Sequence, residues 1–149
     1  MASALQRKIK SFTAVPLNVK LLFAEAVLTS AYVKITLLIF PFKKVASWLG
    51  TVQNQAEEVT GTTHYPLIKN MQFALKLCDR YTPWPTECYT RSLTAKIMLK
   101  RRSLPSTLYF GFMKDANNRL KGHSWLKSSG IVVTGFCDFS KYQVHSSFS

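Results

Sequence analysis

Cys88 closes the stretch Trp84-Pro85-Thr86-Glu87-Cys88, where a long helical pattern begins, and His123 lies in Gly122-His123-Ser124-Trp125-Leu126, which has strand character. A thiol attacks a carbonyl only as the thiolate. The free amides and positive dipole end of a helix N-terminus favour that form, and a neighbouring imidazole favours it further. The backbone amide of Cys88, at the same helix end, is also placed to donate to a developing oxyanion. An imidazole beside the thiol can take its proton and later return it to the leaving amine. If the two side chains meet, the chemistry is cysteine-dependent acyl transfer, most simply peptide hydrolysis. Each residue also has an ordinary role, as a buried helical cysteine and as a structural strand histidine. No rule of spacing ties one to the other. Glu87 works mildly against a thiolate unless its side chain turns away. Gly122 and Ser124 are small and leave the ring accessible. Strand alternation puts His123 and Trp125 on one face and Ser124 on the other.

The rest of the composition narrows the chemistry. The 149 residues fit one domain, or one domain with a helical extension, and the 47% apolar share is enough for a core. The three cysteines, Cys78, Cys88 and Cys137, form no CxxC pair, so neither a zinc site nor a thioredoxin-type motif is expected. No metal-ligand cluster or glycine-rich phosphate loop is visible, so no cofactor is expected. One working thiol in a reducing compartment, the cytoplasm, is the simplest arrangement. Cys78 sits in an apolar helical run and reads as a core residue. His64 falls in a linker and His145 near the C-terminal end, and neither is expected to act. The formal charge of +13 favours acidic partners such as anionic lipid, acidic peptide or nucleic acid, although a solvated surface explains it more simply than any single partner. The basic and aromatic residues of 107–127 lack an RNP-like pattern and fit alternating core aromatics better, so no nucleic acid is expected.

The elements that must position the pair follow from periodicity and punctuation. Pro16 is expected to open a helix as an early helical residue, with the apolar residues of 17–39 filling it; Pro41 breaks it, and a second piece from Phe42 to Leu49 stops at Gly50. In the first helix Glu25 and Lys34 are nine residues apart, on opposite faces, so they cannot pair with each other. That argues for a helix covered by protein on much of its surface, open to peripheral membrane contact but not crossing a membrane. Residues 51–63 read as a polar linker with a short helical stretch around Ala56. A helix from Tyr65 to Tyr81 follows, then an extended turn forced by Pro83 and Pro85. Thr86 or Trp84 is expected to cap the next helix, which runs to about Arg102. Strands are expected at 107–113, 120–127, 131–134 and 142–148, with a turn at Asp115-Ala116-Asn117-Asn118. The class is α+β: helices first, then an antiparallel sheet. The division is a helical region over 1–60 and a catalytic domain over 61–149.

Several segments together resemble one family. Trp84-Pro85-Thr86-Glu87-Cys88, the helix ending Met98-Leu99-Lys100-Arg101-Arg102, Ser106-Thr107-Leu108-Tyr109-Phe110-Gly111, Lys114-Asp115, His123-Ser124-Trp125-Leu126 and Ile131-Val132-Val133-Thr134-Gly135 are similar in order and spacing to the stand-alone, transglutaminase-like leader peptidase of lasso-peptide biosynthesis. Leu21-Leu22-Phe23-Ala24-Glu25-Ala26 and Phe40-Pro41-Phe42 resemble its helical N-terminal part. The resemblance implies a papain-like core with the cysteine at a helix N-terminus packed on the sheet. It implies Cys88 as nucleophile and His123 as base. It also implies a precursor peptide as substrate, a separate leader-binding recognition protein, and an ATP-using cyclase that closes the macrolactam. The chain has no spare ~80 residues for a leader-binding module, as expected of the stand-alone form.

One position departs from that pattern. Where family members often carry an Asp after the strand that follows the histidine, this chain has Gly135. Asp138 is the only carboxylate side chain after His123, and a bend after Thr134-Gly135 could carry it back as the third catalytic residue. A backbone carbonyl or a water could orient the ring instead, and Asp115 is a weaker candidate whose natural task is shaping its turn. An amidase or cross-linking transglutaminase on the same scaffold, and a catalytically silent basic partner protein, are the alternative functions.

Overall fold

The computed structural model describes residues 13–52 and 62–149. Helix α1 spans Leu17–Ile39 and α2 spans Phe42–Leu49; a 3₁₀ turn at Thr62–His64 leads into α3, Tyr65–Tyr81, and α4 spans Cys88–Lys100. Four strands follow: β1 (Thr107–Lys114), β2 (Leu120–Ser128), β3 (Ile131–Thr134) and β4 (Gln143–Phe148). They form one antiparallel sheet in the order β3-β2-β1-β4. This is the α+β arrangement that the sequence leads one to expect. The helical stretch anticipated around Ala56 lies outside the described residues.

The prolines act where the chain must turn. Pro16 is the extended residue just before α1, not an early helical residue, and Pro41 is the extended residue that separates α1 from α2. Gly50 follows α2 with φ −173°, extended and not left-handed. Its requirement is one of space, because a Cβ there would run into the backbone of Ser149, which pairs with Thr51.

The core lies between the helices and one face of the sheet. Leu22, Ala26 and Val33 of α1, Ile68, Met71 and Leu75 of α3, and Leu93, Met98 and Leu99 of α4 meet Leu108, Leu126 and Phe148 of the strands, all almost fully buried. Burial at this level contributes roughly 1.5–3 kcal/mol for each large side chain, which makes α4 a fixed platform for whatever its first residue does. Cys78 is in this core, with its sulfur 3.4 Å from Ser30 Oγ.

The two charges of α1 find partners outside their own helix. Glu25 receives Arg102 at 2.6 Å and Arg101 at 3.3 Å. Lys34 Nζ reaches Glu87 at 3.2 Å. Burial alone would raise the Glu25 carboxyl, but the hydrogen bonds and charges of Arg102 and Arg101 outweigh it and hold the group below its ordinary range. A depressed carboxylate stabilises the fold above its unfolded pKa, and that contribution is lost as pH falls through the folded value. We therefore expect Glu25→Gln to cost about 1 kcal/mol at neutral pH, allowing for solvent screening. The gap to wild type in urea melts should close in acid.

Candidate active site

The turn before α4 is fastened from several sides. Thr82 Oγ1 donates to the Cys78 carbonyl at 2.8 Å, and Trp84 Nε1 donates to Ser30 Oγ at 3.3 Å. Asp79 of α3 takes a short hydrogen bond from Thr86 and a 2.6 Å ion pair from Arg91. Thr86 is therefore engaged with α3 and does not cap α4. The capping position falls to Glu87, whose side chain makes no capping bond. This corrects the expectation of a Thr86 or Trp84 cap; the Thr86 hydroxyl is spent on Asp79. With no side-chain cap, the first amides of α4 remain free to meet a negative charge. Glu87 turns out to Lys34, so its charge is paired away from the helix end.

Cys88 is the first residue of α4 and is half-buried. One turn on, on the same helix face, Ser92 is fully buried against the sheet. Ser92 Oγ donates to the Ser124 carbonyl at 3.3 Å and lies 2.9 Å from Thr134 Oγ1, while Ser124 Oγ reaches Ser92 Oγ at 3.3 Å. Cys88's other neighbour, Tyr89, lies against Gly122, where an added Cβ would be 2.5 Å from the Tyr89 hydroxyl. Thus the residues beside Cys88 on α4 touch Gly122 and Ser124, on both sides of His123, while the His123 side chain is on the other face of the sheet. Among the described residues no hydrogen bond joins Cys88 Sγ to His123.

Ser124 faces α4, so alternation places His123 on the opposite face with Trp125. Across from His123 in the β1 register is Gly111, which offers no side chain to crowd the ring. Trp125 stacks on Tyr109 at 5.6 Å between ring centres, and Tyr142 packs on His123 at 5.3 Å. β3 pairs with β2 only over Leu126–Ser128, so no β3 residue pairs with β2 at His123. The chain leaves β3 at Gly135 in a left-handed conformation, φ +73°, pressed against the backbone of Ser124 and Trp125. In that position the Gly135 carbonyl oxygen lies 3.1 Å from His123 Nε2.

That contact fixes the tautomer. A carbonyl only accepts, so in the neutral ring Nε2 carries the proton and Nδ1 keeps its lone pair, the form a general base requires. Asp138 is engaged with other partners. It is exposed, starts the 3₁₀ turn Phe139–Lys141, and its Oδ1 accepts from Ser140 Oγ at 2.6 Å and from Ser140 N at 3.3 Å. Its other oxygen faces Lys141 at 3.4 Å. The Ser140 hydrogen bond, helped by Lys141, holds the carboxyl below its usual range. Asp115 receives the amides of Asn117 and Arg119 and shapes the β1–β2 turn. The Gly135 carbonyl is the group that contacts the His123 ring nitrogen. We expect Asp138→Ala and Asp115→Ala each to keep turnover within a few-fold of wild type, measured beside circular dichroism. A ~10²-fold loss in Asp138→Ala alone would assign the orienting role to that carboxylate.

The other thiols are poorly suited to nucleophilic work. Burial pushes the Cys78 thiol up, and burial with the Asp138 charge pushes the Cys137 thiol up. Among the described residues no group of histidine, cysteine and carboxylate side chains could hold a metal ion. Sequence reasoning did not anticipate the Ser92–Ser124–Thr134 cluster, the Asp79–Arg91 pair or the Tyr142 lid over the imidazole.

A half-buried cysteine opening a core helix, set against an antiparallel sheet with a histidine on its central hairpin, is the framework of a cysteine-dependent acyl-transfer fold. The family model described as Transglutaminase-like superfamily matches residues 36–147, and the chain belongs to that superfamily, whose members are in general cysteine-dependent enzymes. No curated protein and no solved structure matches the chain.

Proposed function

We propose that this protein is a cysteine peptidase that removes the leader from a ribosomally made precursor peptide during lasso-peptide maturation, with Cys88 as nucleophile and His123 as base. The observation that carries the reading is the position of Cys88 as the half-buried first residue of α4, with no side-chain cap, in a chain of the Transglutaminase-like superfamily. The reading requires the His123 ring, which rests on the sheet face away from α4, to turn toward Cys88 and take its proton. The thiolate adds to the scissile carbonyl, and the uncapped amides at the start of α4 stabilise the oxyanion. The imidazolium protonates the leaving amine, which departs as the core peptide with its new N-terminus. Water, activated by the same ring, then releases the leader from its thioester.

The resemblance in the cysteine helix and the histidine strand supports the leader-peptidase assignment within the superfamily. A separate recognition protein would present the leader, and a cyclase would consume the freed core amine. The test is cleavage of the cognate precursor by the purified protein with and without that recognition protein. Faster cleavage at one leader–core junction on its addition is expected. Full-speed processing by the protein alone, with no response to the second protein, contradicts a divided system.

A further inference from the structure

Helix α1 presents two contrasting faces. One buries Leu22, Ala26 and Val33 in the core. Along the other, Leu17, Leu21, Leu28, Ile35 and Leu38 are each between 59% and 80% exposed, with the small Ala24 and Ala31 completing the line. The steps alternate four and three residues, so these side chains follow one seam along the helix for roughly 30 Å at ~1.5 Å per residue. A contiguous apolar line of this length on a protein surface marks a contact surface. By length and composition α1 could also cross a membrane, its mean hydropathy reaching 1.7. Against crossing, Glu25 is paired to Arg101 and Arg102 of the α4 end, and Lys34 to Glu87. These pairs hold the helix flat on the domain, with its apolar seam turned outward.

The seam ends in a basic and aromatic corner. Beside the exposed Leu38 and Ile39, the Phe40 ring meets Trp48 at 5.0 Å, and Lys44 Nζ stands 4.8 Å over Phe40. Lys43 is exposed next to it. An outward apolar line bordered by tryptophan and lysine is the composition of a helix that lies in a bilayer interface. The net charge of +13 discriminates between occupants: it opposes seating a second copy of the chain and favours an acidic surface. We infer that the exposed face of α1, with the Phe40–Lys44–Trp48 corner, docks this protein on the surface of an anionic phospholipid membrane, with α1 lying parallel to the bilayer.

The experiment is flotation of the full chain with vesicles of phosphatidylcholine alone or mixed with phosphatidylglycerol. Binding to the mixed vesicles at low salt, weakening in high salt, is expected, with little binding to neutral ones. Leu28→Glu/Ile35→Glu and Lys43→Glu/Lys44→Glu should each weaken it ~10-fold or more. All four positions are exposed, so melting temperatures should stay near wild type. No flotation with anionic vesicles at low salt, or flotation unchanged in both variants, overturns the inference. Light scattering supplies the rival outcome: a solution dimer that Leu28→Glu/Ile35→Glu dissolves, without vesicle binding, assigns the seam to a second copy and also overturns it.

Discussion

Replacing Cys88 by Ala should abolish precursor cleavage. The substitution removes the atom that forms the acyl bond, so the loss should exceed the ~10²–10³ that removal of a single oxyanion donor costs. The fold should survive. Cys88 is half-buried at the start of α4, while that helix is held by Leu93, Met98 and Leu99 in the core and by Ser92 on the sheet. A chromatographic time course with the recognition protein present, beside a thermal melt, measures both quantities. Cleavage persisting in Cys88→Ala would end the peptidase reading. Because Cys78 and Cys137 have thiols pushed up by burial, neither is expected to substitute.

Gly135→Ala should be the second most damaging single change. Gly135 has φ +73°, where an L-residue is strained by ~1–2 kcal/mol, and its added methyl would collide with the Ser124 carbonyl and Trp125. Relief requires the β3 exit to move, and the carbonyl on His123 Nε2 moves with it. The expected result is a stability loss of ~2–3 kcal/mol and a turnover loss near ~10²-fold, the usual cost of displacing a reacting group by about 1 Å. Gly130→Ala is the matched control. It has nearly the same φ, +72°, but nothing within 4 Å of an added Cβ. It should lose a little stability and no activity. Equal behaviour of the two variants in urea melts and turnover would remove the positioning role of Gly135.

The helices and strands were legible because local chemistry marks them. Prolines precede α1 and α2, Pro83 and Pro85 keep the segment before α4 extended, and aromatic alternation defines β1 and β2. Alternation also separated His123 and Trp125 from Ser124 correctly. What local sequence does not encode is which polar groups meet across the fold. Thr86 resembles a cap by type and position, yet Asp79 on α3 takes its hydroxyl. The Ser92–Ser124–Thr134 cluster joins residues from α4, β2 and β3, each unremarkable by itself. The departure at Gly135 directed attention to the next carboxylate, Asp138, because a missing side chain suggests a replacement side chain. The structure places a backbone carbonyl there, from the residue whose side chain is absent.

Trapping the covalent intermediate tests the Cys88–His123 chemistry most directly. The protein is mixed with excess precursor and recognition protein, quenched in acid within the first turnover, and its intact and peptide masses are measured. The account predicts a mass increase equal to the leader acyl group, mapping to Cys88, absent from Cys88→Ala and suppressed in His123→Ala. Precursor cleavage with no adduct at Cys88 that proceeds undiminished in Cys88→Ala, or an adduct that maps to Cys137, would contradict it.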